Sequence, residues 1–341
     1  MQREDFAREL HDYFARRHEE LRSAAQQHLA ALPDAATIYA IMDAAFWASL
    51  RREEGYLPKI SLAFLSPEQA ASPMVLDRPL PLGPEALARV SPAVERPGIH
   101  LGVWSHNGQL SVWGMTTRIP ILCFVLEVAA PGLLVVKHHT GDETRKFVNV
   151  AVLEGDQIKM VDGSASGLPS WIQSADVMVK LAVSMRVHGR GGSLLMVPAN
   201  TEHWRESIVQ PIQYAVSAPY CDLAPMNDPV VAAVAGLTAV DGAVVLTDRY
   251  ELLGFGAKIG RRKGWPQVEQ VMITEPVEGS QSLLVHPEQL GGTRHLSAAQ
   301  FIHDQRDALA LVASQDGRFT VFEWCRPEQL VHARRLDALL L

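Results

Sequence analysis

The hydrophobic period of the chain changes twice along its length, and those changes decide what it can fold into. Between Leu101 and Val161, apolar residues alternate with polar ones or run in short stretches: Leu101 to Trp104, Gln109 to Trp113, Ile121 to Val128, Leu134 to His138, Phe147 to Leu153 and Gln157 to Val161. Turn signals such as His106-Asn107-Gly108 and Glu154-Gly155-Asp156 separate them, which is the pattern of strands joined by short connections. A Gly- and Ser-rich stretch, Gly163 to Pro169, follows and marks a boundary. Beyond it helical and strand patterns alternate. Helices are expected over Ser170 to His188, Trp204 to Ala215 and Pro229 to Leu237, and again after Gly292. Strands are expected at Ser193 to Val197, in a hairpin of Gly242 to Leu246 with Glu251 to Ala257, and at Leu309 to Ala313 and Phe319 to Glu323 around the turn at Asp316-Gly317. The expected organisation is therefore a strand-rich α+β domain over residues 1–168 and an α/β domain over residues 169–341. Ahead of the strands, residues 2–31 place Phe6, Leu10, Phe14 and Leu21 on a helical period, Ala35 to Arg52 suits a second helix, and the Pro-rich stretch from Pro58 to Pro97 reads as irregular.

A chain of 341 residues exceeds the usual single-domain size, so the length also favours two cores. With 48% hydrophobic and 20% charged residues it has the composition of a globular protein rather than a disordered one. Its 31 Lys and Arg against 38 Asp and Glu give a formal charge of -7, which argues against a dedicated binder of nucleic acid or anionic membrane. Cys123, Cys221 and Cys325 are scattered and form no C-x-x-C pair, so neither a disulfide framework nor a thiolate metal site is suggested. Arg3, Glu4, Asp5, Arg8 and Glu9 stand where a signal peptide would be apolar. The longest apolar stretches, Ile119 to Val136 and Val230 to Leu246, are broken by Glu127 with Pro131-Gly132 and by Thr238 with Asp241, too soon for a membrane helix. A cytoplasmic location is expected.

Two short segments carry the chemistry. In Gly291-Gly292-Thr293-Arg294-His295, glycines precede a Thr able to cap a helix, an arrangement that leaves backbone N–H groups for phosphate. Arg294 adds a permanent multidentate cation and His295 a donor that is charged or neutral. In Asp241-Gly242-Ala243 a carboxylate sits at a strand edge beside two residues almost without side chains, so a bulky ligand can approach. Such a carboxylate can ligate Mg²⁺ or Mn²⁺ and accept a proton from a sugar hydroxyl. Taken singly, each segment is more simply a capped helix or a turn; their order, with a strand after each, changes the balance.

Asp241-Gly242-Ala243-Val244-Val245-Leu246 and Gly292-Thr293-Arg294-His295, the latter followed by Asp307 to Ser314, resemble the DGA and GTRHR blocks of the diadenylate cyclase (DAC) domain. Leu181 to Val197, with Gly189-Arg190-Gly191-Gly192, is similar to the beginning of that domain, so the resemblance covers about half the chain. It implies a mixed sheet wrapped by helices and an enzyme that condenses two ATP into cyclic di-AMP with release of pyrophosphate. It also implies self-association that brings two active sites face to face. By position, Asp241 would assist the 3′-hydroxyl and the metal, Gly242 and Ala243 would shape the nucleotide pocket, and Gly292, Thr293, Arg294 and His295 would hold the phosphates, with Ser314 beside the substrate. The N-terminal domain looks similar to the sensor-type domains attached to such cyclases.

This chain departs from the family pattern at two places. Leu296 stands where a second Arg usually follows the His, and Ser314-Gln315-Asp316 stands for the usual Ser-Glu-Glu, leaving Asp316 as the candidate metal ligand. Arg261-Arg262-Lys263, in a long segment from Gly260 to Leu290, could replace the lost charge, although a solvated loop is the simpler reading. The alternative function is thus a degenerate DAC-like module that binds a nucleotide without converting it. Three further patterns are set aside. Gly254 to Gly260 partly matches a dinucleotide loop but lacks its spacing and its βαβ setting. His138-His139 with Asp142 and Glu143 reads as a polar turn rather than a metal site, and Ser164 and Ser166 lie in no nucleophile elbow.

Overall fold

The computed structural model describes residues 3–22, 29–51, 58–96, 98–106, 108–141, 147–161, 176–187, 189–220 and 228–340. The chain divides into two compact units, Met1–Gly163 and Ser164–Leu340.

In the first unit, α1 (Arg3–Arg22) and α2 (Ala35–Ser49) precede β1 (Ser61–Phe64), β2 (Met74–Pro81), α3 (Pro84–Val90), β3 (His100–His106), β4 (Gln109–Thr116), β5 (Phe124–Ala130), β6 (Leu133–His139), β7 (Phe147–Glu154) and β8 (Gln157–Met160). The strands form one sheet in the order β2-β4-β3-β1-β5-β6-β7-β8, antiparallel except where β1 meets β3. Side chains alternate across it as a pleat requires. Leu62, Phe64, Phe124 and Leu126 face Phe6, Leu10, Phe14 and Ile41 of the helices, while Ala63, Leu65, Cys123 and Val125 form a smaller core with Trp113 on the other face. Burial pushes the Cys123 thiol far up, so it is an inert packing group.

Two sequence expectations fail in this unit. The first helix ends at Arg22, and Ala30 instead donates its N–H to Ile121 O at 2.9 Å. The Pro-rich stretch is ordered as β1, β2 and α3. Its prolines fit because β2 is an edge strand, where missing donors cost little, and because Pro84 starts α3 just after Gly83. His138 lies in β6, as the expected strand Leu134 to His138 has it, and is buried against Tyr13 and Phe14 rather than forming a polar turn. Asp142, Glu143, Ser164, Ser166 and Cys221, and the whole of the expected boundary stretch Gly163 to Pro169, lie outside the described residues.

The second unit comprises α4 (Asp176–Val187), β9 (Gly192–Val197), β10 (Tyr214–Tyr220), α5 (Asp228–Leu237), β11 (Ala243–Thr247), β12 (Leu252–Ala257), β13 (Val271–Thr274), β14 (Leu283–Val285), α6 (Thr293–Asp304), β15 (Leu309–Ala313), β16 (Phe319–Cys325) and β17 (Leu330–Arg335). Its mixed sheet runs β10-β12-β11-β9-β15-β16-β17-β13-β14, with β9 and β11 parallel in the centre. Leu195, Val197, Val245, Ala310 and Val312 face α6 through Ala298, Phe301 and Ile302. Leu194, Val244, Leu246 and Leu311 face α4 and α5 through Met178, Leu181, Met185, Val231 and Val234. The result is three layers, helix on sheet on helix pair.

The helix expected over Trp204 to Ala215 is instead a short 3-10 turn, His203–Ser207, followed by the edge strand β10. Pro211 is the reason: it donates no N–H and disfavours helical geometry at Gln210. The long segment after Gly260 adds β13 and β14 to the sheet beyond β17.

Candidate functional site

Strand register gathers the two sequence segments at one end of the central strands of the second sheet. Ala243 pairs with Ser193, and Gly192 pairs with Ala313 across the antiparallel β9–β15 pair. The residue before β11 (Gly242), the start of β9 and the end of β15 therefore emerge side by side. The first turn of α6 lies against them: a Cβ at Gly191, which has φ +70°, would meet Arg294 Nη1 at 3.1 Å and Ala313 O at 3.2 Å.

Two adjoining hollows result. One, of about 150 Å³, is lined by Asp241, Gly242, Ala243, Lys258, Thr293 and Arg294, with Ser193 and Ser297 beside them. The other, of about 350 Å³, is lined by Gly292, Thr293, Arg294, His295, Ser314 and Asp316. Thr293 and Arg294 are the shared wall.

Asp241 projects into solvent, 92% of its side chain exposed, and accepts a hydrogen bond from Lys258 Nζ at 2.5 Å. Lys258 beside it, first through that hydrogen bond and then through its charge, with Arg294 adding to the effect, holds the Asp241 carboxyl below the usual carboxylate range. It is therefore ionised at neutral pH and acts as a hydrogen-bond acceptor rather than a strong base. Lys258 was missed in the sequence because it sits in the Gly254 to Gly260 run that was set aside. The signal lies in the hairpin: Ala243 pairs with Ala257, so the residue just after β12 returns beside Asp241.

Other expected roles change in detail. Gly242 has φ +108°, and a Cβ there would lie 2.5 Å from Gly256 C, so the backbone of β12, before any ligand, demands the glycine. Ala243 is buried in the core and closes the hollow from behind. Gly292, not Thr293, is the N-cap of α6, and no side chain caps it; the leading N–H groups are left for solvent or ligand.

His295 is buried, edge-on to Phe322, with its pKa pushed down to about 4 by burial and then by Arg335. Of the two charge states the sequence leaves open for His295, burial favours the neutral imidazole at that position. Leu296 packs against the core under α6, which leaves no charge in its place. Ser314 and Asp316 are fixed in the β15–β16 turn, where Ser314 N donates to Arg318 O at 2.8 Å. Arg186 braces that turn from the opposite face by donating to Gly317 O at 2.9 Å. Arg261-Arg262-Lys263 does not supply the missing charge: Arg262 N donates to Asp304 at the far end of α6, a 12-residue helix about 18 Å long.

A divalent cation finds a sparse donor set. Asp316 pairs with Arg318 at 3.3 Å and Asp241 with Lys258, and the two carboxylates line different hollows. Among the described residues no three His, Cys, Asp or Glu side chains gather in a metal-holding group. One exposed carboxylate beside a phosphate-sized space does suit Mg²⁺ or Mn²⁺ arriving with a nucleotide, since such ions are held by one or two carboxylates plus substrate phosphates.

Comparison with known proteins gives a family match within the first unit. Residues 27–117 match the family described as "Probable sensor domain DACNV". No curated protein matches the chain. Among solved structures, a hypothetical membrane spanning protein from Bacillus cereus aligns at 15% identity and a TM-score of 0.30, over 47% of this chain and 63% of that one, which is less than two thirds of its length. Among the described residues no helix is long and apolar enough to cross a membrane.

Proposed function

We propose that the second unit is a diadenylate cyclase, condensing two ATP into cyclic di-AMP, and that the first unit regulates it. The observation that carries this reading is the single wall of Thr293 and Arg294 shared by the Asp241 hollow and the Ser314 hollow. The DGA-like and GTRH-like segments, far apart in sequence, thereby serve one site. The DACNV match supports the regulatory half, because that domain is the N-terminal sensor domain of DAC proteins.

The residues suit positioning and charge neutralisation, the main demands of phosphoryl chemistry. Arg294 stands between the hollows as a permanent donor for phosphate oxygens. The ionised Asp241 accepts the hydrogen of an attacking 3′-hydroxyl and orients its oxygen, while Lys258 keeps the carboxylate ionised. Ser314 and the free N–H groups of α6 offer neutral donors, and neutral His295 closes the floor. Mg²⁺ or Mn²⁺ brought with ATP would lean on Asp241, with Asp316 in the neighbouring hollow, and supply neutralisation of phosphate charge. One protomer holds one nucleotide, so the partner nucleotide must come from a second copy facing it. The test is pyrophosphate release from ATP measured against protein concentration: activity per chain should climb as copies associate, and full turnover by a strictly monomeric protein would contradict the proposal.

A second reading, a nucleotide-binding sensor without turnover, is favoured by one observation: Leu296 is turned into the core where a phosphate-binding Arg would otherwise project. It predicts bound, unconverted ATP with either metal.

A further inference from the structure

At the other end of α6 the second unit carries a hollow of about 530 Å³ that the cyclase reading does not use. Its lining brings Arg262, Arg306 and Arg326 together with Trp265 and Trp324, and holds the carboxylates of buried Asp304 and exposed Asp307. Arg262 lies 4.9 Å from the Trp265 ring centroid, Arg306 lies 5.4 Å from Trp265 and 4.0 Å from Trp324, and Arg326 joins the lining. His303 meets both indoles edge-on, at 6.2 and 6.1 Å. Arg262 is neutralised by Glu206 at 2.7 Å. Arg306 and Arg326 are exposed and, among the described residues, form no ion pair.

The arrangement is held from beneath. Asp304, with a fully buried side chain, accepts from Arg262 N at 2.8 Å, from Gln300 Nε2 at 2.8 Å and from the His303 ring at 3.0 Å. Gln300 also accepts from Val268 N at 2.9 Å and donates to Pro266 O at 3.2 Å. The segment carrying Trp265 is thus tied to α6 at three backbone positions, and the negative charge of Asp304 is spent inward. Trp324 comes from β16 and Arg306 from the connection between α6 and β15.

We propose that this hollow binds a nucleoside phosphate, at a site separate from the Asp241 hollow. The planar Arg306 guanidinium between two indoles marks a slot that accepts a flat aromatic base, since guanidinium and base stack on indole in the same way. On entry of the base Arg306 turns outward and, with Arg326, forks onto the phosphate. The volume is within the range of small-molecule sites. A base without phosphate leaves the two guanidiniums unpaired, and a phosphate without base leaves the indoles unstacked, so both halves are needed.

The test is calorimetric titration of the full chain with AMP, adenosine and ribose 5-phosphate. The proteins compared are wild type, the double variant Arg306→Gln with Arg326→Gln, Trp265→Leu, and Arg294→Ala. The expected result is an AMP site that survives Arg294→Ala and weakens about tenfold or more in the first two variants, the scale of one lost stack or charge-assisted pair. Adenosine and ribose 5-phosphate should each bind more weakly than AMP. The double variant alters only exposed side chains, so an unchanged melting temperature will certify its fold. AMP isotherms in the double variant that superimpose on wild type would overturn the proposal, as would loss of all AMP binding in Arg294→Ala. Because the far hollow is read out by Arg306 and Arg326 and the cyclase site by Arg294, failure of one assignment leaves the other standing.

Discussion

The two ends of α6 solve different problems with the same helix. At its N-terminal end the chemistry is on the surface: Asp241 and Lys258 face solvent, and Arg294 bridges two small hollows. At its C-terminal end a buried carboxylate, Asp304, organises the exposed cations and indoles above it. The first end is held by strand register and owes its shape to backbone pairing. The second is held by a side-chain hydrogen-bond network. A site built on register tolerates side-chain change at its rim, whereas a site built on a buried polar network fails when one member is lost.

The largest effect should come from removing what both ends share. Phe301 is fully buried under α6, and Phe301→Ala should destabilise the second unit by about 3–5 kcal/mol. Chemical denaturation would read that as a lower midpoint, and both hollows should be lost together. Survival of either one would mean that α6 is not their common support. Next, Asp304→Ala leaves the Arg262 N–H, Gln300 and His303 without their acceptor and should cost about 1–3 kcal/mol. AMP binding at the far hollow should fall with it, followed by calorimetry beside the melting temperature.

Acid should act on both units at comparable pH. His295 and His332 in the second unit, and His100 and His138 in the first, each have a pKa lowered from 6.5 to about 4, chiefly by burial. The unfolded chain then binds more protons than the native one between those values, so stability is full above pH 6.5 and is lost as pH falls toward 4. Melting temperatures at pH 7 and pH 5 should differ in that direction; a flat profile would show that these histidines are not buried neutral. The smallest stability effect is expected of Lys258→Met, because its ion pair is largely exposed. The melting temperature should not move, yet the Asp241 carboxyl should return toward its ordinary range and carry the acid limb of any activity to higher pH. An unshifted limb would remove Lys258 from the site.

Much of this was legible in residue patterns. The strand Ser193 to Val197, with Leu194 and Leu195 on opposite faces of β9, follows directly from the hydrophobic pattern. The pairing of Asp241-Gly242-Ala243 with Thr293-Arg294 rested on family resemblance, and the register of Ala243 with Ser193 and of Gly192 with Ala313 supplies its physical basis. Two edge strands, β2 and β10, were hard to read because both carry prolines that mimic loop signals, whereas the edge strand β8, without proline, was legible. Charge state was also out of reach: His295 in a motif looks like a phosphate ligand, and only its burial makes it neutral. The hollow at Trp265, Arg306 and Trp324 left no local signature, because its parts come from three separate segments that only the folded sheet and α6 bring together.

Asp241 is the residue proposed to orient an attacking hydroxyl in a cyclase site. The most direct measurement incubates wild type and Asp241→Asn with ATP and either Mg²⁺ or Mn²⁺, and separates the nucleotides by chromatography with mass detection. Cyclic di-AMP from the wild type, and none from an equally stable Asp241→Asn, is the predicted result. Equal product from both proteins, or ATP bound and unchanged by the wild type with either metal, would contradict it.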